Sequence, residues 1–311
     1  KAELDQTNLY PDGSSLNLVQ ALAKRYRVET NQIIIGAGSD EIIAMIARAY
    51  FVPGDETIMA TPSFPQYRHH ALVEGAKCIE VPLVNGTHDL PVMRQHITNK
   101  TKIVWVCNPN NPSGTIVTRS QLEPFLAEIP KHVLIVLDEA YAEYIEDEQY
   151  PDGLRYLEQY PNLIVLRTFS KAYGLAALRI GYGIAHPDII RMINQVRGPF
   201  NTSRMAQAAA TAALEDEQFL ADCRKKNTEG IAYLMEQFDR LGLTYYPAYG
   251  NFILVGCKRD AKEVFDALLR RGVIVRGGHT LGFSTSIRVT VGSKEQNAAF
   301  IQALEEVLGA R

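Results

Sequence analysis

Leu163-Ile-Val-Leu-Arg-Thr-Phe-Ser-Lys-Ala-Tyr-Gly-Leu-Ala-Ala-Leu-Arg179 decides how the chain reads. Its first four residues form an uninterrupted apolar run, as in a strand buried on both faces. Two hydroxyls follow, Thr168 and Ser170, then Lys171, with Arg179 eight positions beyond the lysine. A lysine presented beside hydroxyl and guanidinium donors suits an imine with an aldehyde whose anionic tail must be gripped.

Working outward, similar apolar runs occur at 33–35, 57–60, 77–81, 103–107, 133–137 and 180–184. Helical patterns such as 40–50 and 65–74 separate most of them, and another fills 15–26, with Leu18, Leu22 and Tyr26 on one face. Strands alternating with helices predict an α/β fold, a mostly parallel central sheet flanked by helices. After Arg204 the texture changes: an alanine-rich helix at 206–214, then a long amphipathic stretch at 217–241. Short strands at 252–255, 273–276 and 287–291 follow, and a last helix opens on a capping box, Ser293 with Gln296. The expected division is a large domain over 14–225 and a smaller α+β domain over 226–311, with 1–13 as the remnant of an N-terminal arm.

The 311 residues are 46% hydrophobic, ample for a buried core, and the net charge of -3 offers no footprint for nucleic acid or an anionic membrane. Cys78, Cys107, Cys223 and Cys257 form no C-x-x-C pair, which fits a reducing compartment. The opening Lys1-Ala-Glu-Leu-Asp is not read as a signal peptide, and no apolar run approaches membrane-spanning length. A cytoplasmic location is expected.

Polar clusters follow three of the strand-like runs: Asn108-Pro-Asn-Asn-Pro-Ser-Gly114, Asp138-Glu-Ala-Tyr141 and the segment ending in Lys171. Ligands of open parallel sheets bind beyond the carboxyl ends of the strands, so three clusters on one rim mark a site. Pyridoxal phosphate (PLP) is an aldehyde of the kind Lys171 requires. Asp138 suits its protonated ring nitrogen, and Asn111 and Tyr141 suit its ring oxygen. A magnesium-binding acid is the competing reading of Asp138, but it needs a P-loop, and no Gly-Lys dipeptide occurs in the chain. Gly36-Ala-Gly-Ser-Asp-Glu41 joins a strand to a helix start, where free amides bind phosphate; Glu41 replaces the third glycine of a dinucleotide fingerprint. Ser170 and Arg179 would complete the phosphate cup. Phe64 is either a ring-stacking or a packing aromatic, and His69 with His70 lacks a third metal ligand, so no metal is expected. Arg276 and Arg288 read first as salt-bridge residues, with clamps for anionic substrate groups as the alternative.

On these segments the chain resembles the fold-type I PLP-dependent aminotransferases along nearly its whole length. Within that family it looks most like the branch acting on histidinol phosphate, also through Asn8-Leu-Tyr-Pro-Asp12 and Ile287-Arg-Val-Thr-Val-Gly292. The resemblance implies a ping-pong exchange of an amino group between small amines and keto acids, histidinol phosphate and 2-oxoglutarate among them. Lys171 would be the Schiff-base lysine and proton carrier, Phe64 would lie over the ring, and Ser39, Asp40, Thr168, Ser170 and Arg179 would surround the phosphate. Arg288 would hold the α-carboxylate and, with Arg276, the substrate phosphate. A homodimer with shared sites is implied, with Tyr10 reaching the partner's phosphate. Members of the family normally carry an arm before the point where this sequence starts. Aromatic amino-acid aminotransferases and a threonine-phosphate decarboxylase share the motifs and remain rivals. A binding module from an aminotransferase-like regulator is a weaker fit, since it needs a DNA-binding extension.

Overall fold

The computed structural model describes residues 2–309. The apolar runs become β1 (Ile33–Gly36), β2 (Glu56–Thr61), β3 (Lys77–Pro82), β4 (Thr101–Cys107), β5 (Leu134–Asp138), β6 (Leu163–Thr168) and β7 (Gly181–Ala185). They form one sheet in the order β1-β7-β6-β5-β4-β2-β3. Strands β2 to β6 are mutually parallel, while β7 runs antiparallel to both of its neighbours. The sheet is therefore mixed, and β7 is its one reversed strand. The strand order turns back between β2 and β4, which opens a crevice at their carboxyl ends.

Seven helices accompany this sheet in the chain: α1 (Leu16–Tyr26), α2 (Ser39–Tyr50), α3 (Gln66–Val73), α4 (Leu90–Gln95), α5 (Arg119–Glu128), α6 (Pro187–Asn194) and α7 (Arg204–Ala213). Strand periodicity sorts the core into two layers. Val104, Val106, Ile135 and Leu137 pack with α1, α4, α5 and α7, whereas Ile103, Trp105, Leu134 and Val136 pack with α2, α3 and α6. Each such fully buried side chain contributes about 1.5–3 kcal/mol, so the rim above them is held rigidly.

The long α8 (Glu217–Arg240) runs unbroken through the expected boundary near residue 225. Its Leu220 belongs to the core of the large sheet, and its Leu234 and Phe238 belong to a third cluster under a three-stranded sheet. That second sheet comprises β8 (Phe252–Gly256), β9 (Arg276–Gly277) and β10 (Ser286–Thr290), with α9 (Ala261–Leu269) and α10 (Lys294–Leu308) packed on it. Ser293 and Gln296 cap α10 reciprocally, as their spacing predicts. The expected strand at 273–276 shrinks to Arg276–Gly277. Gly272 turns left-handed at φ 78°, and the Val273 amide donates to the Leu268 carbonyl, so these residues close α9 instead of pairing. Among the described residues no helix is long and apolar enough to cross a membrane.

Candidate functional site

At the carboxyl rim of the large sheet a cavity of about 150 Å³ is lined by Ser39, Asp40, Phe64, Cys107, Asn111, Asp138, Ala140, Tyr141, Thr168, Ser170, Lys171 and Arg179. Every residue assigned from sequence to the cofactor is there except Tyr10. That residue is 79% exposed and stacks on Phe200 with ring centroids 4.8 Å apart.

One end of the cavity is dry. Asp138 closes β5 and is buried; Tyr67 Oη donates to its Oδ2 at 2.7 Å and the Ala140 amide to its Oδ1 at 3.2 Å. Burial pushes its pKa up to about 6, against the opposing effect of the Tyr67 hydrogen bond. The adjoining Glu139 anchors the turn: Arg167 Nε and Nη2 donate to its Oε2 at 3.0 and 2.7 Å, and the Gly153 amide to its Oε1 at 2.7 Å. Lys171 Nζ lies 5.3 Å from the centroid of the buried Tyr141 ring. Burial, reinforced by the Arg288 charge, lowers the lysine pKa, which favours the neutral amine a carbonyl requires. Burial raises the Tyr141 pKa, so its hydroxyl stays a donor.

The other end is open and cationic. Gly38 adopts φ 80°, and a Cβ there would stand 2.7 Å from Arg179 Nη2, so glycine leaves the guanidinium room against the start of α2. Arg179 Nη1 donates to Ala176 O at 2.9 Å and to Ser170 Oγ at 3.4 Å, and Nη2 is 3.6 Å from Asp40 Oδ2. The Asp40 carboxylate thus orients the arginine; toward an anion its contribution is its amide in the first turn of α2. Glu41, the departure from the glycine fingerprint, accepts from the Ala37 amide at 2.6 Å and from Asn201 Nδ2 at 2.7 Å, fixing the loop that feeds α2.

A carboxylate at the dry end, an amine and a phenol between, and helix amides with an arginine at the wet end fit PLP in chemistry and in order. The small sheet adds two arginines. Arg288 Nη1 donates to Asn111 Oδ1, and its guanidinium lies 4.7 Å from the Phe252 ring centroid. Arg276 is the cross-strand partner of Arg288 and is exposed. The Asn111 oxygen is therefore engaged by Arg288, which leaves its amide nitrogen as the group that can donate.

The family model "Aminotransferase class I and II" matches residues 1–304. The chain belongs to that family. Similar proteins include the histidinol-phosphate aminotransferases of Brevibacillus brevis, 54% identical over 98% of this chain and 84% of that protein, and of Anoxybacillus flavithermus, 52% identical over 99% and 83%. A solved histidinol-phosphate aminotransferase from Sinorhizobium meliloti, in complex with pyridoxal-5'-phosphate, superposes with a TM-score of 0.93 at 29% identity, covering 99% of this chain and 85% of that one. An L-threonine-O-3-phosphate decarboxylase from Porphyromonas gingivalis superposes at 0.87 with 26% identity, covering 99% and 93%.

Two residues of the aminotransferase site escape the sequence reading. Cys107 is the last residue of β4 and pairs in register with Asp138; its place just before the Asn108 cluster was the available signal. Tyr67, in the first turn of α3, lies edge-on to Phe64 with centroids 5.5 Å apart, and no local pattern marked it as part of the site.

Proposed function

We propose that this aminotransferase exchanges an amino group between L-histidinol phosphate and 2-oxoglutarate, in histidine biosynthesis. The observation that carries the substrate assignment is the identity of about half over nearly the whole chain to histidinol-phosphate aminotransferases of several bacteria. Arg288 and Arg276, side by side on the small sheet, supply two cations for the anionic groups of glutamate and of the phosphorylated amine.

In this reading Asp138 holds the PLP ring nitrogen, Asn111 and Tyr141 its ring oxygen, and Phe64 its face. Ser39, Asp40, Thr168, Ser170 and Arg179 surround its phosphate. The chemistry PLP supplies when bound is an electron sink for the carbon that loses its proton. Lys171 Nζ takes that proton from the amine-bearing carbon of the substrate and later gives it up. Tyr141 donates a hydrogen bond throughout, and Arg288 orients the carboxylate so that the α-proton meets the lysine. Residues 14–225 form the large domain and 226–311 the small one, with α8 as the joint and 1–13 as a leading arm. Exposed Tyr10 then serves the site of a second copy in a cytoplasmic homodimer.

Single-turnover reactions with histidinol phosphate, phenylalanine and threonine phosphate test the assignment. Histidinol phosphate is expected to react fastest, with 2-oxoglutarate restoring the starting spectrum and no carbon dioxide released. A faster reaction with phenylalanine, or decarboxylation of threonine phosphate without a keto acid, contradicts it.

A further inference from the structure

The two oxygens of Asp138 are held unequally. Oδ1 has only the long contact from the Ala140 amide at 3.2 Å, whereas Oδ2 accepts from the Tyr67 hydroxyl at 2.7 Å. Tyr67 comes from α3, and its phenol is itself fixed. Its ring stacks on Trp105 with centroids 4.8 Å apart and planes 12° apart. Trp105 Nε1 donates to Thr57 Oγ1 at 2.8 Å, which donates to the Ile103 carbonyl at 3.0 Å. Tyr67, Trp105 and Thr57 are all at most 1% exposed. Phenylalanine would fill the same space, so packing does not require the hydroxyl.

We propose that Tyr67 is a positioning residue for cofactor binding: its hydroxyl keeps Asp138 ionised and turned so that Oδ1 remains for the ring nitrogen. The proposal rests on the reading of Asp138 as the partner of that nitrogen. A hydrogen bond donated to a carboxylate favours its charged form, and in a desolvated site few other donors can do so. Burial and the Asp138 charge hold the Tyr67 pKa well above the usual phenol range, so Tyr67 keeps its proton and donates at every working pH.

Tyr67→Phe keeps the ring and its stacking and removes only the hydroxyl. In the apoenzyme, the Asp138 titration can be followed through the infrared band of its protonated carboxyl, assigned by its absence in Asp138→Asn. In Tyr67→Phe the titration is expected to move up by about one pH unit. The acid limb of PLP affinity should move with it, so that affinity falls about fivefold at pH 6 and far less at pH 8. A merely structural role would lower affinity by the same factor at every pH. That result, or an unmoved titration, overturns the proposal. Should Tyr67→Phe fail to fold, a ring-fluorinated tyrosine at position 67 offers a stronger donor in nearly the same space: a downward shift of the titration supports the proposal and an unmoved titration overturns it. If Asp138→Asn leaves PLP affinity unchanged at all pH values, the ring-nitrogen reading itself fails. If Asp138→Asn is damaging and Tyr67→Phe shifts nothing, only the role of Tyr67 falls.

Discussion

The two ends of the cavity obtain their chemistry by opposite means. At the dry end, Asp138 is 3% exposed, and desolvation supplies the effect. At the wet end, the side chains of Arg179 and Asp40 are 49% and 48% exposed, and charge is offered through water at a helix start. A buried group can be strongly perturbed and strongly coupled to what binds it, whereas an exposed ion pair is screened and individually weak. The dry end should therefore couple to a bound group strongly and independently of salt, and the wet end weakly and in a way that salt screens.

The largest effect tests the group between the two ends. Lys171→Ala is expected to lower turnover by at least about a thousandfold, since on the proposed reading it takes away both the nucleophile and the proton carrier. Stopped-flow half-reactions and the loss of the lysine-bound absorbance check it. Next comes Asp138→Asn, which should weaken PLP affinity by about 3 kcal/mol, roughly a hundredfold, measured by fluorescence titration of the apoenzyme.

The same substitution should act in the opposite direction on the fold. Native Asp138 keeps its proton up to about pH 6, while its ordinary value is 3.8, so its contribution to stability is fully present below about pH 4 and is lost as pH rises to about 6. The loss amounts to about 3 kcal/mol. Denaturant unfolding of the apoenzyme should show that fall, and Asp138→Asn should remove it, leaving the weaker-binding variant the more stable at pH 7. Equal pH slopes in the two proteins would mean that the dry end is wetter than the geometry indicates.

At the wet end, Arg179→Ala should reduce PLP affinity by only about tenfold. Its penalty should shrink as salt is added, whereas that of Asp138→Asn should not. A salt-insensitive Arg179 penalty would erase the distinction between the two ends.

The site was legible where local pattern and position coincide. Lys171, Asp138 and Asn111 each stand just past an apolar run, and strand ends of an open sheet converge. What stayed hidden depends on tertiary contact. The Tyr67–Asp138 bond joins residues 71 apart, and the Asn111–Arg288 contact joins residues 177 apart, with no local signal for either. The direction of β7 was equally silent, because an apolar run packs the same way whichever way it points. Residues 273–275 carry strand-like side chains, but Gly272 commits them to ending α9.

The most direct measurement is borohydride reduction of the PLP-loaded enzyme followed by peptide mapping. A pyridoxyl group on Lys171 and on no other side chain is the expected result. A label on another lysine, or a chain that takes up no cofactor at all, would contradict the assignment on which both ends of the cavity depend.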